Sequence, residues 1–464
     1  ITLNRKTSKY AARVMSEVGD AEAPTAPLLA TVPDAHSGPK SFPLDLGNDG
    51  VEDITLERTT SHHSADAAGN GWKATTFILL TDMFGLGALA IPSVFAHLGW
   101  LAAGVALLAL GLAMLFSGSL FTRLAAAHPD VSVYHRLAGA AYGRRGRWLV
   151  FGTVYTLILL SPAVIHLTSA EALGVLMGGR AGPSPGLLVT LAMLPLAQVR
   201  SMEDVGWVSV VGTGTMLAAV AVTLGKLLLE PLPERAAAAT HWLPPASTTP
   251  RLALVALLDV VFAYGGQQNW FRYASTMRKR SNFLLVTRVG AVTMTAFYLL
   301  LGCTGYWSLG SAYDLSKPIT SVLPQDGWTV LTNAMLLIHC LVAYQININV
   351  LTHLVLTVVA KHRAPARSWQ GWGAWTLVSG VGVLASWALA SGIPFFSLVI
   401  ALVAAVGDVA AGYLIPALLA LRLLPLGRAE RWLCRALVPL SVALSAAGIF
   451  SAVREIVHDS AAAP

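Results

Sequence analysis

From Trp72 onward the chain repeats one pattern. Apolar runs of about twenty residues alternate with short connectors that hold most of the charge. No period-two alternation runs through these stretches, and they are twice the length of a barrel strand. Each therefore predicts a membrane-spanning α-helix. About eleven spans are expected, at 73–96, 99–122, 147–177, 186–199, 206–229, 251–276, 284–309, 328–359, 371–391, 394–421 and 431–456. The expected fold class is an all-α integral membrane protein, with a transmembrane domain over 71–456 and a short tail at 457–464. Residues 1–70 break the pattern. They are rich in Pro, Ser, Thr, Asp and Gly without apolar periodicity, which predicts a disordered tail.

Composition agrees with this reading. Of 464 residues 55% are apolar and only 12% charged, about half the charge of a soluble domain. The net charge of +7 does not point to nucleic acid, because the basic residues sit in small clusters at span ends rather than along a stripe. Lys and Arg instead alternate between connectors. Arg123, Arg136, Arg144, Arg145 and Arg147 follow span 2; Arg278, Lys279, Arg280 and Arg288 lie around the connector after span 6; Arg422, Arg428, Arg431 and Arg435 follow span 10. The opposite connectors are nearly free of positive charge, so the tail is expected in the cytoplasm and the C-terminus outside. Cys303, Cys340 and Cys434 lie in apolar segments without metal or disulfide spacing and read as small buried hydrophobes.

Two spans carry signs of interruption. Span 1 contains Thr81-Asp82-Met83-Phe84-Gly85-Leu86-Gly87-Ala88, followed by Pro92, and span 6 contains Phe262-Ala263-Tyr264-Gly265-Gly266-Gln267. The first string fits G-x-G-x-x-A, but no strand precedes it, which excludes a dinucleotide site. Irregular backbone at membrane depth persists only inside protein or along a cavity. Glycines also allow helices to pack closely. Breaks in spans 1 and 6, however, occupy matching places in two five-span halves, 73–229 and 251–421, with 431–456 as an extra helix. That predicts an inverted-repeat transporter with its site between the breaks. The half-helix after Gly85 offers free N–H groups to a carboxylate, and carbonyls near Phe262 and Ala263 suit an ammonium. Asp82, Gly85, Leu86, Gly87, Ala88, Phe262, Ala263, Tyr264, Gly265, Gly266 and Gln267 are thus the candidate substrate-binding residues.

Four acids fall within spans: Asp82, Glu171, Asp259 and Asp408. Each is costly there, roughly 2.5–3.5 kcal/mol at a helix centre, and so asks for a reason. Asp82 and Asp259 precede the two breaks and are expected to face the cavity. Glu171 lies near a span end, within reach of water. Asp408 is deep, without an evident partner. His339 in span 8 has the chemistry of a proton relay, against the alternative of a neutral packing residue. Asp82, Asp259 and His339 are the proton-coupling candidates, and no metal site is expected.

At these residues the chain resembles the amino acid/auxin permease family, most of all its plant lysine/histidine transporter branch. The resemblance rests on Gly85-Leu86-Gly87-Ala88-Leu89-Ala90-Ile91-Pro92 ending in Leu98-Gly99-Trp100, and on Asp259-Val260-Val261-Phe262-Ala263-Tyr264-Gly265-Gly266. Gly305-Tyr306-Trp307-Ser308-Leu309-Gly310 and Ile338-His339 with Tyr344-Gln345-Ile346 complete it. It implies the five-plus-five inverted-repeat fold with an eleventh helix and proton-coupled amino acid uptake. It also implies site roles for Asp259, His339 and the two glycine-containing breaks. Asp82 and Gln267 depart from the family's usual residues. The expected function is a proton–amino acid symporter without cofactor, embedded in a lipid bilayer. Sodium coupling, an auxin or other organic-anion substrate, and an amino acid sensor are the alternatives. No enzyme motif stands in any connector.

Overall fold

A computed structural model describes residues 69–128, 133–179, 183–200, 205–229, 239–312, 319–322, 324, 326–359, 368–392 and 396–462. The expected tail, apart from Gly69 and Asn70, lies outside the described residues. Among the described residues eight helices are long and apolar enough to cross a membrane. The expected spans are recovered when the interrupted and short helices are counted with them.

Span 1 is α1 (Trp72–Met83) and the start of α2 (Leu86–Ala127). Span 2 is the rest of α2, set off from span 1 by a turn at Gly99, whose φ of 73° breaks the helix. The Trp100 and Leu101 N–H groups are taken by the His241 and Trp242 carbonyls, at 3.0 Å each. A distant loop therefore caps this turn, and adjacent sequence gives no hint of it. Pro92 lies inside α2 without ending it.

The next helix, α3 (Tyr134–Val150), turns at Gly143 with φ 59°, so its first part belongs to the connector. Span 3 runs from its second part through a π-helical turn at Phe151–Tyr155 and α4 (Thr156–Leu176). Then come α5 (Pro183–Leu196) and α6 (Val205–Leu229). Span 6 is split into α7 (Pro250–Ala263), a 3₁₀ turn at Gln267–Asn269, and α8 (Trp270–Ser275). It is followed by α9 (Phe283–Leu309), the short α10 (Ile319–Val322), α11 (Gly327–Val359) and α12 (Trp369–Gly392). Span 10 is α13 (Phe396–Val403), π-helical turns at Ala404–Asp408 and Ala410–Leu414, and α14 (Ile415–Leu423). The last helix, α15 (Arg428–Ala462), continues through most of the expected 457–464 tail.

The solvent logic is that of a bilayer. Leu101, Val105, Leu108 and Leu112 form an exposed apolar stripe on α2, and Leu377, Val381 and Leu384 form another on α12. Polar side chains turn inward: Asp259, Gln267, Asn269, His339, Asn347 and Asp408 are buried. At the end where the described chain begins, Asn70 pairs with Met277 in an isolated parallel bridge. The Asn70 N–H donates to the Thr276 carbonyl at 2.8 Å, and the Arg278 N–H donates to the Asn70 carbonyl at 3.1 Å.

Candidate functional site

The two breaks lie side by side. A Cβ placed on Gly87 would come within 2.8 Å of Ala263 Cβ, so the start of α2 rests directly on the end of α7. Gly266 has φ 120°, in the left-handed region that favours glycine. After Ala263 the helix stops, with the Gly265 N–H donating to the Phe262 carbonyl at 2.8 Å. At the first break Gly85 precedes α2 and no side chain caps it. Its position leaves the first N–H groups of that half-helix open to a ligand.

One cavity opens between these ends. Asp82, Met83, Gly85, Leu86 and Gly87 line it from the first break, and Phe262, Gly265, Gly266 and Gln268 from the second. Leu157, Ser161 and Ile165 on α4 form a further wall; His339, Cys340, Ala343 and Asn347 on α11 and Asp408 in the π-helical turn complete it. The cavity lining holds two carboxylates and neither Lys nor Arg.

Asp82 ties three elements together. Its carboxylate accepts from Asn269 Nδ2 at 3.0 Å, beyond the second break, and from Asn347 Nδ2 at 2.8 Å on α11. Thr81 beside it bonds the Ser209 carbonyl at 2.7 Å and the Thr213 hydroxyl at 2.8 Å, fixing α1 on α6. On α11, His339 Nδ1 lies 2.9 Å from the Gly212 carbonyl. A carbonyl only accepts, so Nδ1 carries the proton and Nε2 is left with a lone pair when the ring is neutral. A Cβ on Gly85 would lie 2.6 Å from that Nε2. Asp408 approaches Gly265 in the same way: a Cβ there would be 2.5 Å from Asp408 Oδ1. The glycines of both breaks thus let the His339 and Asp408 side chains reach the unwound backbone.

Several expected site residues point elsewhere. Ala88 lies inside α2, and Ala263 packs against Gly87 with its carbonyl accepting from the Tyr298 hydroxyl at 2.6 Å. That carbonyl is therefore already engaged. The Tyr264 hydroxyl pairs with Thr295 Oγ1 at 2.6 Å, away from the cavity. Gln267 turns back to the Tyr264 carbonyl at 2.6 Å, and its neighbour Gln268 faces the cavity instead. The 3₁₀ turn that starts here sets the two side chains in different directions. Asp259 is buried on α7 outside the lining. Sequence reasoning missed Asn347, although an asparagine in an apolar span carried a signal. It missed Ser161 and Ile165 with no signal at all.

Two interrupted helices enclosing a cavity that holds two carboxylates, within an all-helical two-halved bundle, make this an inverted-repeat membrane transporter. The crystal structure of MhsT in complex with L-phenylalanine shares the fold, with a TM-score of 0.52 at 14% identity over 83% of this chain and 99% of that one. The family model for transmembrane amino acid transporter proteins matches residues 68–457. The chain belongs to that family, the amino acid/auxin permeases. Among its relatives are the N amino acid transport system protein of Neurospora crassa, 22% identical over 75% of each chain, and the amino acid transporter AVT1D of Arabidopsis thaliana. The latter is 22% identical over 81% of this chain and 68% of its own length.

Proposed function

We propose that the chain is a proton-coupled amino acid symporter that works by alternating access. The reading is carried by one observation: both half-helix ends open on a single cavity that also holds Asp82 and His339. The substrate carboxylate sits at the uncapped start of α2, and its ammonium lies at the Asp82 carboxylate. Asp82 and His339 are the proton-handling groups, since both touch the cavity where substrate and proton have to meet. Asp259 is set aside for this role because it lies outside the lining. With both ligands bound, the helices carrying the breaks rock against the rest and the site exchanges sides. The positive connectors support an N-terminal side in the cytoplasm and a C-terminus outside. Carrying one positive charge with a neutral zwitterion draws about 2.3 kcal/mol per 100 mV from the membrane potential, roughly a 50-fold gradient.

Uptake of radiolabelled alanine into proteoliposomes, under an imposed proton or sodium gradient, tests this reading. Accumulation that follows the proton gradient and ignores sodium is the expected result. Accumulation driven by sodium at constant pH would replace proton by sodium coupling. Asp82→Asn is expected to lose proton-driven accumulation and to retain exchange of internal for external alanine.

A further inference from the structure

Two carboxyl groups share the cavity, and their surroundings differ. Asp82 accepts from Asn269 and Asn347, so it has the donors that a charged carboxylate needs. Asp408 is 2% exposed, receives the Gly266 N–H, and leaves Oδ2 without a partner. The two acids lie within charge–charge reach of each other, and the lining holds neither Lys nor Arg. A buried carboxylate short of donors and of a counter-charge is costly, and a second acid beside it adds to the cost. A proton on Asp408 removes both penalties.

The fold brings this carboxyl to the unwound part of span 6. The π-helical turn at Ala404–Asp408 carries it there, and a Cβ on Gly265 would lie 2.5 Å from its Oδ1. The Tyr413 hydroxyl, buried in the next π-helical turn, also lacks a partner and lies within reach of Asp408. A hydroxyl donates to a carboxylate or accepts from a carboxylic acid, so it suits Asp408 in either form. Tyr264 stands close by at the second break and His339 lines the cavity from α11, while Asp259 on α7 lies outside the lining. The other elements packed on this turn present no Lys or Arg there. Leu157 of α4 and Gly448 of α15 meet it, and Tyr155 of the neighbouring π-helical turn is bonded to His135.

We propose that Asp408 carries a second proton, so that two protons cross the membrane with each amino acid. The proposal rests on the proton-coupled reading above and adds a stoichiometry and a coupling residue to it. The first proton belongs to Asp82 and His339. The second is held as the Asp408 O–H while the cavity is closed. When the cavity opens on the releasing side, water solvates the carboxyl, the O–H bond breaks and the proton passes to that water.

Sodium-free proteoliposomes of the full chain, with radiolabelled alanine at set ratios across the membrane, count the protons by the gradient at which net flux reverses. One proton balances about a tenfold alanine gradient at about 60 mV, or at a pH difference of about one unit, and two balance about a hundredfold gradient. The unaltered protein and Asp408→Glu are expected to reverse near hundredfold under either force, and Asp408→Asn near tenfold. An amide copies the neutral acid in size and charge, so Asp408→Asn should also keep its melting midpoint in detergent and its exchange of internal for external alanine. Exchange without any net flux in that variant would likewise support the proposal, because it makes proton release from Asp408 a condition of the empty return. Reversal near tenfold in the unaltered protein would overturn the proposal and leave the proton-coupled reading standing. Reversal near hundredfold in Asp408→Asn would overturn it by putting the second proton elsewhere. Lost exchange or a lowered midpoint in that variant would do so by showing that the site needs its charge. If neither force drives alanine in the unaltered protein, the proton-coupled reading itself falls and this proposal with it.

Discussion

Gly87 sits one residue inside α2, where that half-helix crosses the end of α7. A methyl group there would lie 2.8 Å from Ala263 Cβ and 3.1 Å from Ala263 N, and closer still to Ala263 Cα. Carbon atoms settle at about 3.5–4.0 Å, so the two half-helices would have to part by roughly 1 Å. The obstacle is backbone and has no rotamer by which to move away. Overpacking of this kind costs about 1–3 kcal/mol, which is roughly five- to 150-fold in an equilibrium. The same displacement widens the gap between the two binding ends. Gly87→Ala is therefore expected to lower both the thermal midpoint in detergent and the affinity for alanine, and Gly87→Val to abolish binding. Gly104, farther along α2, has no atom within 4 Å of its Cβ position. Gly104→Ala should be neutral or stabilising by about 0.5–1 kcal/mol, because only the backbone entropy of the unfolded chain changes. Differential scanning fluorimetry with and without alanine, together with equilibrium binding, reads both effects. Wild-type stability and affinity in Gly87→Ala would refute close contact of the broken helices. Equal losses in Gly87→Ala and Gly104→Ala would show that the effect belongs to the helix and not to the crossing.

Gln268→Leu should weaken substrate binding, whereas Gln267→Leu should lower stability by about 1–3 kcal/mol because it leaves the Tyr264 carbonyl without its donor. Parallel binding and melting curves separate the two, and reversed phenotypes would refute the assignment. Tyr298→Phe removes the hydroxyl that reaches the Ala263 carbonyl at 2.6 Å and lies 3.5 Å from the Met83 carbonyl, so both half-helix ends lose a shared anchor. A loss of about 1–3 kcal/mol is expected by denaturant titration in detergent, and an unchanged midpoint would count against it. At one end of α11, Asp326 bonds Lys226 at 2.6 Å, and chiefly that ammonium holds its carboxyl down at about 2, from an ordinary 3.8. A lowered carboxyl contributes stability that is present above the ordinary value and fades as pH falls through the lowered one. Melting temperature should therefore carry an acid limb from this pair, and Lys226→Met should shrink it, leaving the part that the Thr329 N–H sustains at 2.9 Å. An identical acid limb in the variant would refute the pairing.

How much of this was legible in the sequence depends on the range of the contacts involved. Spans such as α9, α11 and α12 were readable to within a few residues, because lipid demands long apolar runs and only composition is needed to see them. Both breaks were readable as well, since glycine pairs stand at matching places in the two five-span halves. What stayed hidden was direction. Whether Gln267 or Gln268 faces the cavity is decided by a 3₁₀ turn of three residues, and no periodicity extends through so short an element. Pro92 looked like part of the break, yet the helix runs through it, because the true interruption at Phe84 and Gly85 already frees the backbone upstream. Asp259 and Asp408 show the limit most clearly. Both are acids in apolar spans, and the one nearer a break in sequence appeared the better candidate. The π-helical turn at Ala404–Asp408 shifts the register of span 10 and brings Asp408 to Gly265, while the regular turns of α7 leave Asp259 outside the cavity. Distance along the chain is a guide to depth in the membrane, not to facing. Facing is fixed by packing between elements more than a hundred residues apart, as in the bond from Asp82 to Asn347.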